Sequence, residues 1–197
     1  MVVPLIPGVS EEAAIMACIG HVCVQWAQLE NNILAVLCAC QNVPVEEAAI
    51  LFGSLDMKPR LNMAINLARR HKWPTSLLIR LDRLRKAIDK AKLLDRRNMV
   101  VHGVHRATDT PQTVTLYTPR RSGSAQYEDW TIEGAHQLGV EIMHAANEAW
   151  DIFASYGRWK FGNHFTENSS GEIVTAPLGV FARFKQYLSA RIKHLIG

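Results

Sequence analysis

The 197-residue chain is 48% hydrophobic and 20% charged, a balance that excludes a disordered chain and fits one well-packed domain with an insertion better than two ordinary domains. Its formal net charge of +4 comes from clusters at Arg69-Arg70-His71-Lys72, Arg80 to Lys92, Arg96-Arg97 and Arg120-Arg121; these are compatible with a polyanionic partner, although a solvated helix face accounts for any one of them alone. No apolar run approaches the roughly 18 residues of a membrane span, and the N-terminus is broken by Pro4, Pro7 and Gly8 and lacks the basic start of a signal peptide, so a soluble, cytoplasmic protein without membrane partners is expected.

Ser10 has the character of a helix N-cap, with Glu11 and Glu12 in the first turn where carboxylates suit the helix dipole. From there Ile15, Ile19, Val22, Trp26, Leu29, Ile33, Val36 and Cys40 step by four and three, which predicts a helix over 11–41 that Asn42 and Pro44 end. Glu30 stands at the edge of this seam, either as a boundary carboxylate in water or as an acceptor for a distant Arg97 or His102. Cys18, Cys23, Cys38 and Cys40 all fall within this helix at spacings that suit neither a disulfide nor a metal site, so reduced thiols are expected.

Val45 to Leu55, and Lys58 to Lys72 with Leu61, Ile65 and Ala68 on one face, predict two short helices punctuated by Trp73-Pro74. The next periodic stretch predicts one helix from Thr75 to His102, close to the first in length and packed antiparallel to it. Beyond Val104, β-branched and aromatic residues with turn-forming Pro111, Pro119 and Gly123 predict two or three short strands, an insertion at about 104–131. A helix is predicted from Ile132 to Lys160, its start weakened by Gly134 and Gly139. The Gly-, Asn- and Ser-rich stretch 161–177 reads as a linker. A last amphipathic helix is predicted over 178–196, with Phe181, Phe184, Leu188 and Ile192 set to pack on the bundle or on a second subunit. The expected fold is all-α: an up-and-down bundle of four to five helices over 1–160 with a small β-hairpin insertion after the motif helix, then the linker and C-terminal helix.

The stretch Leu93 to Gly103 carries the strongest chemistry. On a continuous helix Leu77, Leu81, Leu84, Ile88, Ala91, Asp95, Asn98 and His102 form one stripe, apolar at first and polar in its last two turns. Buried polar groups left unpaired cost roughly 1–3 kcal/mol each, so such a stripe must either bond internally or open onto a cleft. Asn98 and His102 differ by only about 40° around a helix, whereas Arg97 and His102 differ by about 140°. Arg97 must therefore reach around its own helix or meet its partners where a second subunit brings the same helix.

Arg97-Asn98-Met99-Val100-Val101-His102 resembles the Arg-polar-x-x-x-His motif of HEPN domains, with the motif at the end of a long helix, a glycine behind it and a Trp26-x-x-Leu29-Glu30 pattern upstream. The resemblance covers about two-thirds of the chain. It implies a helical bundle whose two copies pair so that both motifs line one cleft, where many members act as metal-independent ribonucleases and others have lost catalysis. RNA is then the substrate, no metal or cofactor is expected, and Arg97, Asn98 and His102 are the catalytic candidates. His102 suits proton transfer, Arg97 suits the charge on a phosphorane-like transition state, and Asn98 suits orientation of either. Glu30, Asp95, Arg96 and His105 are supporting candidates.

Nothing else competes: there is no Gly-rich phosphate loop, GxSxG or HExxH. His21 among apolar neighbours reads as a core histidine, and Trp26, Trp130 and Trp150 as core or interface. Two readings stay open. One is an endoribonuclease, of toxin or defence type, restrained by an antitoxin or regulatory partner. The other is a HEPN-like binding or scaffold protein in which the motif holds a homodimer together.

Overall fold

The computed structural model describes residues 10–107, 113–119, 125–161, 165–167 and 173–175. The chain folds as an all-α helical bundle with a small antiparallel sheet. Its elements are α1 (Glu11–Gln41), α2 (Val45–Phe52), α3 (Met57–Arg70), α4 (Thr75–Lys90), α5 (Leu93–His102), β1 (Val104–Ala107), β2 (Thr113–Pro119), β3 (Ala125–Thr131), α6 (Ile132–Phe161), β4 (Phe165–Glu167) and β5 (Ile173–Thr175).

Local chemistry sets most of these boundaries. Ser10 Oγ accepts the Ala13 N–H at 3.2 Å, and Thr131 Oγ1 accepts the Gly134 N–H at 2.9 Å, so hydroxyl caps start both α1 and α6. Asn42 and Lys72 adopt φ of 56° and 53° just past α1 and α3. There the Val43 N–H returns to the Cys38 carbonyl and the Trp73 N–H to that of Ala68, the wrap-around closure that satisfies the last carbonyls of a helix. Lys92, at φ 50°, breaks the predicted Thr75–His102 helix into α4 and α5. The described residues thus hold six helices where four to five were expected.

The insertion is a three-stranded meander, one strand more than a hairpin. β1 pairs antiparallel with β2 from Val104 opposite Tyr117, and β2 with β3 from Thr113 opposite Thr131. β2 lies against α5, so the sheet follows the motif helix in sequence and packs on it. Within the expected linker, β4 and β5 form a short antiparallel ladder with Phe165 opposite Thr175; the predicted helix over 178–196 lies outside the described residues.

Two compact units divide the chain, Met1–Glu30 with Lys86–Glu148 and Asn31–Arg85 with Ala149–Gly197. The first has a core of Val22, Trp26, Leu29, Ile88, Leu93, Val100, Trp130, Leu138 and Ile142. The second buries Ile33, Leu37, Leu61, Leu81 and Ile152, with Trp73 stacked on Tyr156 at 3.8 Å between ring centroids. In that unit the buried Arg60 donates to the Gly53 and Leu55 carbonyls at 3.0 and 2.8 Å, tying down the α2–α3 turn. All four cysteines are free thiols. Burial pushes Cys38 up to about 11 and Cys40 up to about 12, so both stay protonated and packed. Among the described residues no single helix is long and apolar enough to cross a membrane.

Candidate active site at the end of helix α5

The left-handed residue Lys92 decides which way α5 faces. Leu77, Leu81, Leu84 and Ile88 are buried on α4, as their spacing requires, while α5 buries Leu93 and Val100. On an unbroken helix those two would stand about 140–160° around from the α4 stripe. The helix stops at Lys90 and restarts at Leu93 across the left-handed Lys92, and Asp95, Asn98 and His102, which a continuous helix would carry along the buried stripe, are exposed. The polar end of the stripe therefore meets water without the desolvation cost that a buried seam would impose.

On this face three side chains converge. Arg97 Nη1 donates to Asn98 Oδ1 at 2.9 Å and lies 3.2 Å from His102 Nε2. A guanidinium has donors only, so the contact to Nε2 is a hydrogen bond when the neutral imidazole carries its proton on Nδ1. The 140° separation is overcome within one chain by the length of the arginine. A second subunit is not needed to bring Arg97 to His102.

Trp26 is what holds the guanidinium in place. Its indole lies 5.6 Å from Arg97 Cζ, centroid to carbon, and its N–H donates to Glu30 Oε1 at 3.0 Å. A cation over an indole face is worth about 0.5–2 kcal/mol depending on desolvation. Arg97 Nε is buried without a hydrogen-bond partner, which places the inner part of the guanidinium against protein while Nη1 reaches the exposed pair. Glu30 thus joins the array through Trp26, its hydrogen bond going to the indole and not to Arg97 or His102. The contact of Trp26 with Arg97 was not visible in the sequence, where Trp26 reads as core. It is core, at 3% exposure, but one face of a buried ring remains available to a neighbour. The Trp26/Glu30 spacing of four was the one signal; the partner from α5 comes from far along the chain.

The remaining supporting candidates separate from the array. Arg96 turns to Glu141 on α6, donating from Nη1 to Oε2 and to the Ala91 carbonyl at 3.3 Å, with its Cζ 5.9 Å from the Trp130 centroid. Asp95 is exposed in the first turn of α5, where a carboxylate complements the helix dipole. His105 sits in β1 opposite Leu116; its side chain lies outside the described residues.

Chemically, the array offers an imidazole nitrogen with a lone pair, a guanidinium whose contacts are neutral, and an amide that can accept or donate. Such a set has the chemistry to bind a phosphate and to move a proton beside it. Comparison of the chain with protein-family models, with curated proteins and with solved structures found no match in any of the three.

Proposed function

We propose that the chain is a HEPN-like endoribonuclease that cleaves RNA without a metal cofactor. The observation that carries this reading is the Arg97 guanidinium seated on Trp26 and shared between Asn98 and His102 at an exposed helix end. With the His102 proton on Nδ1, Arg97 occupies the lone pair of Nε2 in the resting array. A scissile phosphate is a stronger acceptor for the guanidinium than a neutral imidazole. Its arrival draws Arg97 onto the phosphoryl oxygens and frees Nε2 to take the proton of the 2′-hydroxyl. The hydroxyl oxygen then attacks phosphorus, the 5′-oxygen leaves with a proton from a second acid, and Arg97 stabilises the phosphorane-like charge.

One imidazole does not readily serve as base and acid in the same step, which is the argument for a homodimer with two motifs in one cleft. Labelled RNA incubated with the purified protein tests the chemistry. Cleavage is expected to persist in excess EDTA, to leave 2′,3′-cyclic phosphate ends and to fail on substrates with 2′-deoxy residues at the cut site. Activity lost to chelator and restored by one added divalent ion would overturn the metal-free mechanism. Mixing His102→Ala chains with wild type is expected to give heterodimers of much reduced activity; full activity of a monomer by light scattering would overturn the composite cleft.

The second reading, a non-catalytic binding or scaffold protein, is favoured by one feature: both hydrogen-bond contacts of Arg97 Nη1 go to residues of its own helix. Host toxicity of the wild-type chain with tolerance of His102→Ala would favour the nuclease, in a toxin or defence role with a restraining antitoxin or regulator. Equal behaviour of the two would favour the scaffold.

A further inference from the structure

Gly139 is buried in α6, and the reason is a histidine. A Cβ built at Gly139 would meet His21 Nδ1 at 2.5 Å and Cε1 at 2.9 Å, so the imidazole of His21 on α1 occupies the space that the missing side chain leaves. One turn earlier on α6 stands His136, its ring centroid 5.9 Å from that of His21 and its plane tilted by 33°. Both side chains are half-buried, and neither imidazole has a hydrogen-bond partner among the described residues. Because the Nδ1–Cε1 edge of His21 is turned to Gly139, Nε2 is the nitrogen farther from that residue. Buried ring nitrogens ordinarily find a partner; these half-buried imidazoles have none among the described residues and stand beside each other.

We propose that His21 and His136 form a cross-helix site for a borderline divalent cation of the zinc or copper class. The spacing fits. With metal–nitrogen bonds of about 2.0–2.1 Å, two imidazoles on one ion place their centroids roughly 5.3 Å apart at a tetrahedral angle and about 6.4 Å apart when opposed, and the observed 5.9 Å lies between. Neutral imidazole is the ligand such ions prefer, whereas magnesium and calcium require oxygen. Among the described residues no third His, Cys, Asp or Glu joins the pair, so water completes the coordination and the ion exchanges readily. The ligands lie far apart in sequence, which is why no spacing motif announces them. They share no residue with the Arg97 array, so the ion acts as a clamp between α1 and α6 and takes no part in the proposed cleavage.

Calorimetric titration of the full chain with Zn2+ alone, after chelator treatment, tests the site. One ion per chain is expected, with a rise in the thermal unfolding midpoint and no response to Mg2+ at equal concentration. His21→Gln and His136→Gln are each expected to weaken Zn2+ binding at least about tenfold, the scale on which even outer partners of metal ligands act; His144→Gln, an exposed histidine on α6, is expected to change nothing. Circular dichroism of the metal-free variants separates loss of ligand from loss of fold. Absence of binding by the wild type, binding unchanged in both folded variants, or an equal effect of Mg2+ would overturn the proposal.

Discussion

Arg96 and Arg97 are neighbours in sequence, each lies over a tryptophan, and their electrostatic situations are opposite. Arg96 faces Trp130 and is neutralised by Glu141; Arg97 faces Trp26, and its hydrogen-bond contacts are an amide and an imidazole. The carboxylate nearest to Trp26, Glu30, bonds to the indole N–H and leaves the ring face to the cation. A guanidinium paired with a carboxylate must give up that pair to hold a phosphate. One held by a ring face and neutral acceptors keeps most of its charge for the ligand. The same residue type, one position apart, is thus paired with a carboxylate in one case and with an amide and an imidazole in the other.

The comparison predicts unequal consequences. The largest is catalytic: Arg97→Ala and His102→Ala are each expected to slow RNA cleavage by about 10²–10³-fold, the usual cost of one transition-state contact, with helicity retained by circular dichroism. Arg96→Ala is expected to leave the rate within a few-fold of wild type. Equal losses from both arginines would erase the distinction.

Next come the two platforms. Trp26→Phe weakens the cation–π contact and ends the bond to Glu30, so cleavage is expected to fall by about tenfold, equivalent to roughly 1.4 kcal/mol and within the range of such contacts. Trp130→Phe removes an indole N–H that is buried without a partner and is expected to leave cleavage unchanged and stability little altered in a urea titration. Asn98→Ala, which removes one of the two acceptors on Arg97, is expected to cost several-fold in rate, less than either principal residue. Smallest is the Arg96–Glu141 pair itself. Its side chains are 29% and 32% exposed, so Glu141→Gln is expected to lower stability by only about 0.2–1 kcal/mol, and by less in molar salt because of screening.

How far all this was legible depends on the range of the cause. The bounds of α1, its buried seam from Val22 to Cys40, the caps at Ser10 and Asn42 and the start of α6 follow from residues within one or two turns of each other. The break at Lys92 does not. Lys90-Ala91-Lys92 contains no glycine, proline or asparagine, and a lysine in the left-handed region costs about 1–2 kcal/mol, which the burial of Leu93 and Val100 offsets. On the continuous helix that the sequence predicts, the polar stripe must bond internally or open onto a cleft; with the break, Asp95, Asn98 and His102 are exposed. The angle of about 140° between Arg97 and His102 lies within α5 itself and left two routes open, reach around the helix or a second subunit; the guanidinium reaches around. Arg97, Asn98 and His102 were visible as a spacing, whereas the Trp26 platform and the diversion of Arg96 to Glu141 depend on tertiary neighbours that no local pattern encodes.

The break at Lys92 also separates α5 from α4 as a helix with its own register. One residue inserted at the break, with the surrounding scaffold unchanged, would place Arg96 in the slot over Trp26 and Val101 in the slot of His102. The paired arginines would preserve a cation on the indole through such a slip, while the imidazole would be lost. On the proposed reading, a lineage that passed through that insertion would keep a cation at the helix end and lose the imidazole that proton transfer needs in a single event.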